Sequence, residues 1–248
     1  MGSNQKLIQW NCRGLKANYS DFDILLKVLS PAAICLQETL QSDTNVIKLR
    51  HYVQYVKNSV KQDGSPQGGV SVIVRNDIPH SQLSLTTTLQ ATAVRITLHR
   101  TITLCSIYIS PSDTCNQHDL ADLLTQLPPP IVLMGDFNAH SPLWGDKLLD
   151  RRGKIVEDFI NYNNLCSIND KTSTYIHSAT GAKTSIDITI ADPSLLLDLS
   201  WRVHDDLCGS DHFPIVVTSN KPIPPSRVPT WKLKKATGHF FNNYAKNI

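Results

Sequence analysis

The sequence predicts an α/β fold: a four-layered sandwich of two mainly antiparallel β-sheets flanked by helices. Three observations predict it. Roughly ten short apolar or alternating runs read as strands, many of them neighbours in sequence. Only three segments carry helical spacing. One run, Ile131 to Gly135, is apolar or small throughout, the pattern of a strand buried on both faces.

Leu7 to Trp10 reads as a strand that turns at Asn11-Cys12-Arg13-Gly14. Ser20 is placed to cap a helix reaching Leu29, with Phe22, Leu25, Leu26 and Leu29 on one face. Pro31 breaks it, and the apolar strand Ala32 to Leu36 runs into Gln37-Glu38-Thr39. Residues 52–58 alternate, and the Gly- and Pro-rich turn 63–69 leads to a strand over 70–74. Segments 91–98 and 101–109 form a hairpin around His99-Arg100. Asp119 to Leu127 is helical, stopped by Pro128-Pro129-Pro130. After the central run Gly135 is expected to turn the chain sharply, and residues 141–153 form a polar loop. Lys154 to Asn163 is helical, and Leu165 to Ile168 is a strand. Thr174 to Ser185 forms an arm with its tip at Thr180-Gly181. Ile186 to Ile190, Trp201 to His204 and Ile215 to Thr218 are the last strands.

Composition narrows the class. Only 18% of residues are charged and 41% are hydrophobic, which excludes disorder over most of the chain. No apolar run approaches the ~18–20 residues that span a bilayer, so no membrane role is expected. The six cysteines include no C-x-x-C pair, so a structural zinc site is not expected. They read as reduced thiols of a protein that is not secreted. The net charge of +3 is uneven. Residues 221–248 hold six basic groups and no acidic one, so the rest carries 18 basic against 21 acidic groups. Residues 4–220 are therefore expected to form one folded body, and 221–248 a basic, Pro-rich linker.

The chemistry lies in a recurring feature. Strand after strand ends in polar residues: Asn11 after Trp10, Glu38 after Gln37, Tyr108, Asp136 and Asn138 after the central run, Asp187, and Asp211-His212. Each has an ordinary alternative. Asn11 fits a turn, Glu38 a solvated strand end, Tyr108 a sheet position and His212 a loop. Asp136 and Asn138, two residues apart on an extended segment, fit a polar strand cap as well as a shared target. Asp187 interrupts an apolar strand, and a buried carboxylate needs a partner. Strand ends on one edge of a sandwich converge on one cleft. Carboxylates with an amide there suit Mg²⁺, or Mn²⁺.

The ordered pieces QWN (9–11), QET (37–39), IYISP (107–111), GDFN (135–138), SID (185–187) and SDH (210–212) resemble the endonuclease/exonuclease/phosphatase superfamily, with its DNase I-like fold. The block GDFNAHSPLWGD (135–146), with DRRG (150–153), is similar to the endonuclease domain of non-LTR, LINE-type retrotransposons of the jockey-like lineages. WKLKKA (231–236) is similar to the segment leading towards their reverse transcriptase.

The resemblance implies a metal-dependent endonuclease acting in the nucleus after cytoplasmic synthesis. It would nick one strand of double-stranded DNA and leave a 3′-hydroxyl that primes target-primed reverse transcription. Glu38 would be the main Mg²⁺ ligand, with Asn11 and Asp211 nearby. Asp136 would deprotonate the attacking water and Asn138 would hold it. His212, oriented by Asp187, and Tyr108 would bind the phosphate. Arg13, His140, Trp144, Arg151, Arg152, Lys183, Thr184 and Ser185 would meet DNA. The competing readings are an abasic-site repair endonuclease, or another phosphodiesterase of the superfamily, and a catalytically silent nucleic-acid-binding module.

Overall fold

A computed structural model describes residues 4–44, 46–61 and 63–221. The expected linker, Lys221 apart, lies outside the described residues. In chain order the elements are β1 (Lys6–Asn11), α1 (Tyr19–Leu29), β2 (Ala33–Gln37), β3 (Tyr52–Lys57), β4 (Val70–Arg75), β5 (His80–Leu83), β6 (Gln90–Thr97), β7 (Thr101–Tyr108), α2 (Gln117–Thr125), β8 (Ile131–Asp136) and α3 (Arg151–Tyr162). There follow β9 (Cys166–Ser167), β10 (Tyr175–Ile176), β11 (Lys183–Thr184), β12 (Asp187–Ala191), a 3₁₀ turn (Pro193–Asp198), β13 (Leu199–Val203) and β14 (Ile215–Ser219).

Two six-stranded sheets pack face to face, in the orders β13-β14-β1-β2-β4-β3 and β5-β6-β7-β8-β12-β9. The expected sandwich is present. Each sheet is mainly antiparallel but has one parallel pair at its centre, β1 with β2 and β7 with β8. Parallel neighbours need a crossover connection, which explains where the helices fall. α1 links β1 to β2, and α2 links β7 to β8.

Alternation along each strand divides the core. In β8, Val132 and Met134 enter the layer between the sheets, while Ile131 and Leu133 pack with Val156 and Phe159 of α3. In β1, Ile8 and Trp10 pack with Phe22 and Leu25 of α1. Towards one edge the inter-sheet layer becomes polar. Gln9 Nε2 donates to Gly135 O at 2.8 Å, and Gln37 Nε2 donates to Ser106 Oγ at 2.9 Å. These buried bonds fix the two sheets against each other where the apolar packing ends.

Three local expectations are corrected. Ser20 lies inside α1; Asn18 precedes that helix, and its side chain donates to Cys12 O instead of capping. Gly135 does not turn the chain. It is the fifth residue of β8, opposite Ile107 of β7, and an added Cβ would overlap Ile107 O. The glycine permits close approach of two strands. Arg151, Arg152 and Gly153 are the first turn of α3, because Asp150 accepts the Gly153 N–H and caps the helix.

Candidate active site

Topology brings the polar strand ends together. Asn11 of β1 is opposite Gln37 of β2, and Tyr108 of β7 is opposite Asp136 of β8. All four strands therefore finish at one edge. β12 runs the other way, so its first residue, Asp187, faces Asp136 across the ladder. β14 also runs the other way, and the loop before it carries Asp211 and His212 to the same edge. Arg13, Glu38, Asp136, Asn138, His140, Thr184, Asp211 and His212 line one cleft of about 520 Å³.

At its floor Asn11 Nδ2 donates to Glu38 Oε1 at 2.9 Å and to Asp136 Oδ2 at 2.8 Å. Asn11 Oδ1 accepts the Arg13 N–H at 3.1 Å. His212 Nδ1 is 2.8 Å from Asp187 Oδ2, and its Nε2 is 3.9 Å from Asp136 Oδ2. All three of these side chains are buried. Arg13 donates to Asp211 Oδ2 at 2.7 Å. Arg13, Glu38 and Asn138 each have φ between 44° and 49°. Non-glycine residues in that region store strain, which clusters at functional sites.

Asp136 and Asn138 do not share a strand face as expected. β8 ends at Asp136 and the chain turns at Asn138, whose N–H donates to Asp136 Oδ1 at 2.9 Å. Asn138 Nδ2 donates to Ile109 O at 3.1 Å. Both side chains still line the same cleft.

The electrostatics follow from burial and neighbours. Burial raises the Asp136 carboxyl above the usual range and Asp187 adds to this, against the pull of His212 and Asn11. Burial works against a charged His212, but Asp187, then Asp136 and Asp211, outweigh it and raise the imidazole to about 9. Burial and the carboxylates of Glu38 and Asp136 push the Tyr108 phenol well up, so it stays a neutral donor.

Asp136, Asp187 and His212 offer ligand atoms within 4.8 Å of one another, so this cluster could hold a metal ion. A second set lies beside it: the Glu38 and Asp136 carboxylates, bridged by the Asn11 Nδ2 amide, whose oxygen accepts the Arg13 N–H. These hard oxygen donors fit a divalent cation of the Mg²⁺ type.

Several expected DNA contacts are corrected. Trp144 is fully buried, and its indole N–H donates to Ala139 O. Ser185 is fully buried, its hydroxyl on Thr172 O and its N–H on Asp146 Oδ1. Arg152 points inward at the carbonyls of Ile109, Phe137, Asn138, Pro111 and Asp113. Arg13, His140 and Thr184 line this cleft, Arg151 lines a neighbouring one, and Lys183 lies in the arm itself. One site residue gave no sequence signal. The Tyr175 ring lies 4.7 Å from the His212 ring, and the arm is bonded to that loop through Ile176 N to Asp211 O and Phe213 N to Thr174 O.

Residues 102–216 match the endonuclease-reverse transcriptase family model. The chain is 23% identical over 217 residues to a probable RNA-directed DNA polymerase from transposon X-element of Drosophila melanogaster, covering 86% of this chain. It is 24% identical over 215 residues to the RNA-directed DNA polymerase from mobile element jockey of the same species, covering 85%. Over residues 102–216 the chain is similar to the endonuclease-reverse transcriptase family. These relatives are far longer: the chain spans 24% and 23% of the two. Among solved structures, the endonuclease domain of TRAS1, a telomere-specific non-LTR retrotransposon, superposes with a TM-score of 0.74 at 24% identity, covering 88% of this chain and 98% of that one. The AP endonuclease LMAP from Leishmania major gives 0.69 at 14% identity, covering 88% of each. These likenesses show the fold, a DNase I-like sandwich, and leave the chemistry to the cleft.

Proposed function

We propose that this chain is a Mg²⁺-dependent endodeoxyribonuclease. It nicks one strand of double-stranded DNA, leaving a 3′-hydroxyl from which a reverse transcriptase domain of the longer protein primes synthesis at the target. Chromosomal DNA as substrate sets the nucleus as its site of action. One observation carries the reading: a buried carboxylate, Asp136, lies between an aspartate-oriented histidine and an amide shared with Glu38.

Each residue has a task. Asp136 accepts the proton of the attacking water, which Asn138 helps to place. His212, held charged by Asp187, donates from Nε2 to a phosphate oxygen as negative charge builds. Tyr108, neutral, donates to the phosphate or the leaving oxygen. Glu38, Asn11 and Asp211 would hold Mg²⁺, or Mn²⁺, and the bound ion would supply Lewis-acid stabilisation of the phosphate. Asp211 would serve while paired to Arg13, which tempers its charge.

The test is relaxation of supercoiled plasmid. Nicking with Mg²⁺, its suppression by EDTA, and its loss in Asp136→Ala and His212→Ala are expected; positioned general-base help alone is worth ~10²–10⁴-fold. Near-normal nicking by either variant overturns the assignment. A panel of abasic duplex, intact duplex and poly(A) separates this activity from repair and RNA-directed relatives.

A further inference from the structure

A nuclease acting on a polymer must hold the strand beyond the reacting phosphate. The catalytic cleft has two neighbours. One, of about 530 Å³, opens beside the start of α3. The other, of about 470 Å³, lies between loop 146–150 and the arm, lined by Asp146, Lys147, Leu148, Lys183 and Thr184 among others. His140 is the one residue shared by these three spaces.

Its imidazole is held as His212 is. His140 Nδ1 is 3.0 Å from Asp146 Oδ2. That carboxylate is only 6% exposed, and its other oxygen accepts the Ser185 N–H at 3.1 Å. The His140 N–H donates to Asp150 Oδ1 at 3.2 Å. Both carboxylates facing this groove are therefore engaged within the protein, Asp146 by His140 and Ser185, Asp150 by His140 and the cap of α3. The His140 side chain is 39% exposed, and no hydrogen bond occupies its Nε2 among the described residues. Lys147 and Lys183 add positive charge to the groove walls.

Resting on the nuclease reading, we propose that His140 and Asp146 form a second histidine–aspartate pair whose ligand is a backbone phosphate of the bound strand, next to the scissile one. Asp146 accepts from Nδ1 and orients the ring, and in the imidazolium Nε2–H donates to a phosphate oxygen. The same carboxylate, through Ser185, fixes the base of the arm two residues before Asp187. Strand binding at His140 and the orienter of His212 thus share one short stretch of backbone.

The test is binding of a fluorescent duplex by the full chain in EDTA, at pH 6.0, over a series of salt concentrations. His140→Gln is expected to weaken binding about tenfold, one charge-assisted hydrogen bond. It is also expected to flatten the slope of log Kd against log salt by roughly one phosphate contact. His140→Arg should keep both affinity and slope, and Asp146→Asn should resemble His140→Gln. Wild-type affinity and slope in His140→Gln overturn the proposal and leave the nuclease reading standing. A wild-type chain that does not nick plasmid removes that reading, and the proposal with it.

Discussion

Asp187 Oδ2 sits 2.8 Å from His212 Nδ1, and both side chains are buried beside Asp136. The aspartate leaves only Nε2 to face the cleft. Asp187→Asn would keep the shape but lose the charge that holds the imidazolium, and its amide nitrogen would present a donor to Nδ1. Nicking is expected to fall by about 10²–10⁴-fold with duplex affinity unchanged. Single-turnover rates and duplex anisotropy on the same preparation check this; a loss confined to affinity would count against the orienting role.

The same cluster sets a pH dependence of stability. His212 is raised to about 9, and Asp136 is raised above the carboxylate range. In both cases the folded-state pKa exceeds the unfolded one, so the native state binds more protons. Stability is then full at the low end and lost as pH rises through the folded values. The sign holds whichever of the two groups carries the proton. In EDTA, Tm is expected to fall steadily between about pH 6 and pH 9, and His212→Gln should flatten that slope. A melting temperature that rises over this window would refute the linkage.

Arg152 offers a third test. Its guanidinium faces five main-chain carbonyls from residues 109–113 and 137–138, two of them belonging to Asn138 and to Ile109, which holds the Asn138 amide. A planar fork can serve several acceptors; an ammonium on a flexible stem cannot reproduce it. Arg152→Lys, which keeps the charge, is expected to lower kcat roughly 10–100-fold through misplacement of Asn138. The salt dependence of duplex binding should not change, because no phosphate contact is lost. A flattened salt slope with normal kcat would return Arg152 to the DNA-contact set.

Much of this site was legible because its chemistry repeats. Asn11, Glu38, Tyr108, Asp136 and Asp187 each lie at the end of an apolar strand, and His212 lies in the loop just before one; that pattern survives without knowledge of strand order. The parallel pairs at the centre of each sheet were less visible, since strand direction leaves little trace in alternation. Arg152 and Trp144 were misread for another reason. Both sit in a polar stretch, and their partners are main-chain carbonyls, which carry no sequence signal. Ser185 belongs with them, because its burial depends on Thr172 and Asp146 closing over the arm base. Tyr175 was hidden because only the folded arm brings it against His212.

Gly135 links packing to catalysis. It lies in β8 directly before Asp136 and opposite Ile107, directly before Tyr108. A Cβ at Gly135 would overlap the Ile107 carbonyl oxygen and crowd the Ile107 side chain. The obstacle includes backbone within a parallel ladder, so relief requires β7 and β8 to move apart. Overpacking of this kind costs about 1–3 kcal/mol or more, and ~1 kcal/mol lowers Tm by roughly 2–4 °C in a domain of this size. Gly135→Ala is therefore expected to reduce both Tm and kcat, because separating the strands also separates Tyr108 from Asp136. Gly181→Ala is the matched control. Gly181 has φ 68° at the arm tip and nothing within 4 Å of an added Cβ, so its cost is the left-handed backbone alone, about 1–2 kcal/mol. Thermal melts and single-turnover nicking of the two variants decide the matter. Equal loss of stability with a fall in kcat only for Gly135→Ala ties strand spacing to the reacting centre, whereas wild-type kcat in Gly135→Ala would show that the ladder absorbs the methyl without moving the site.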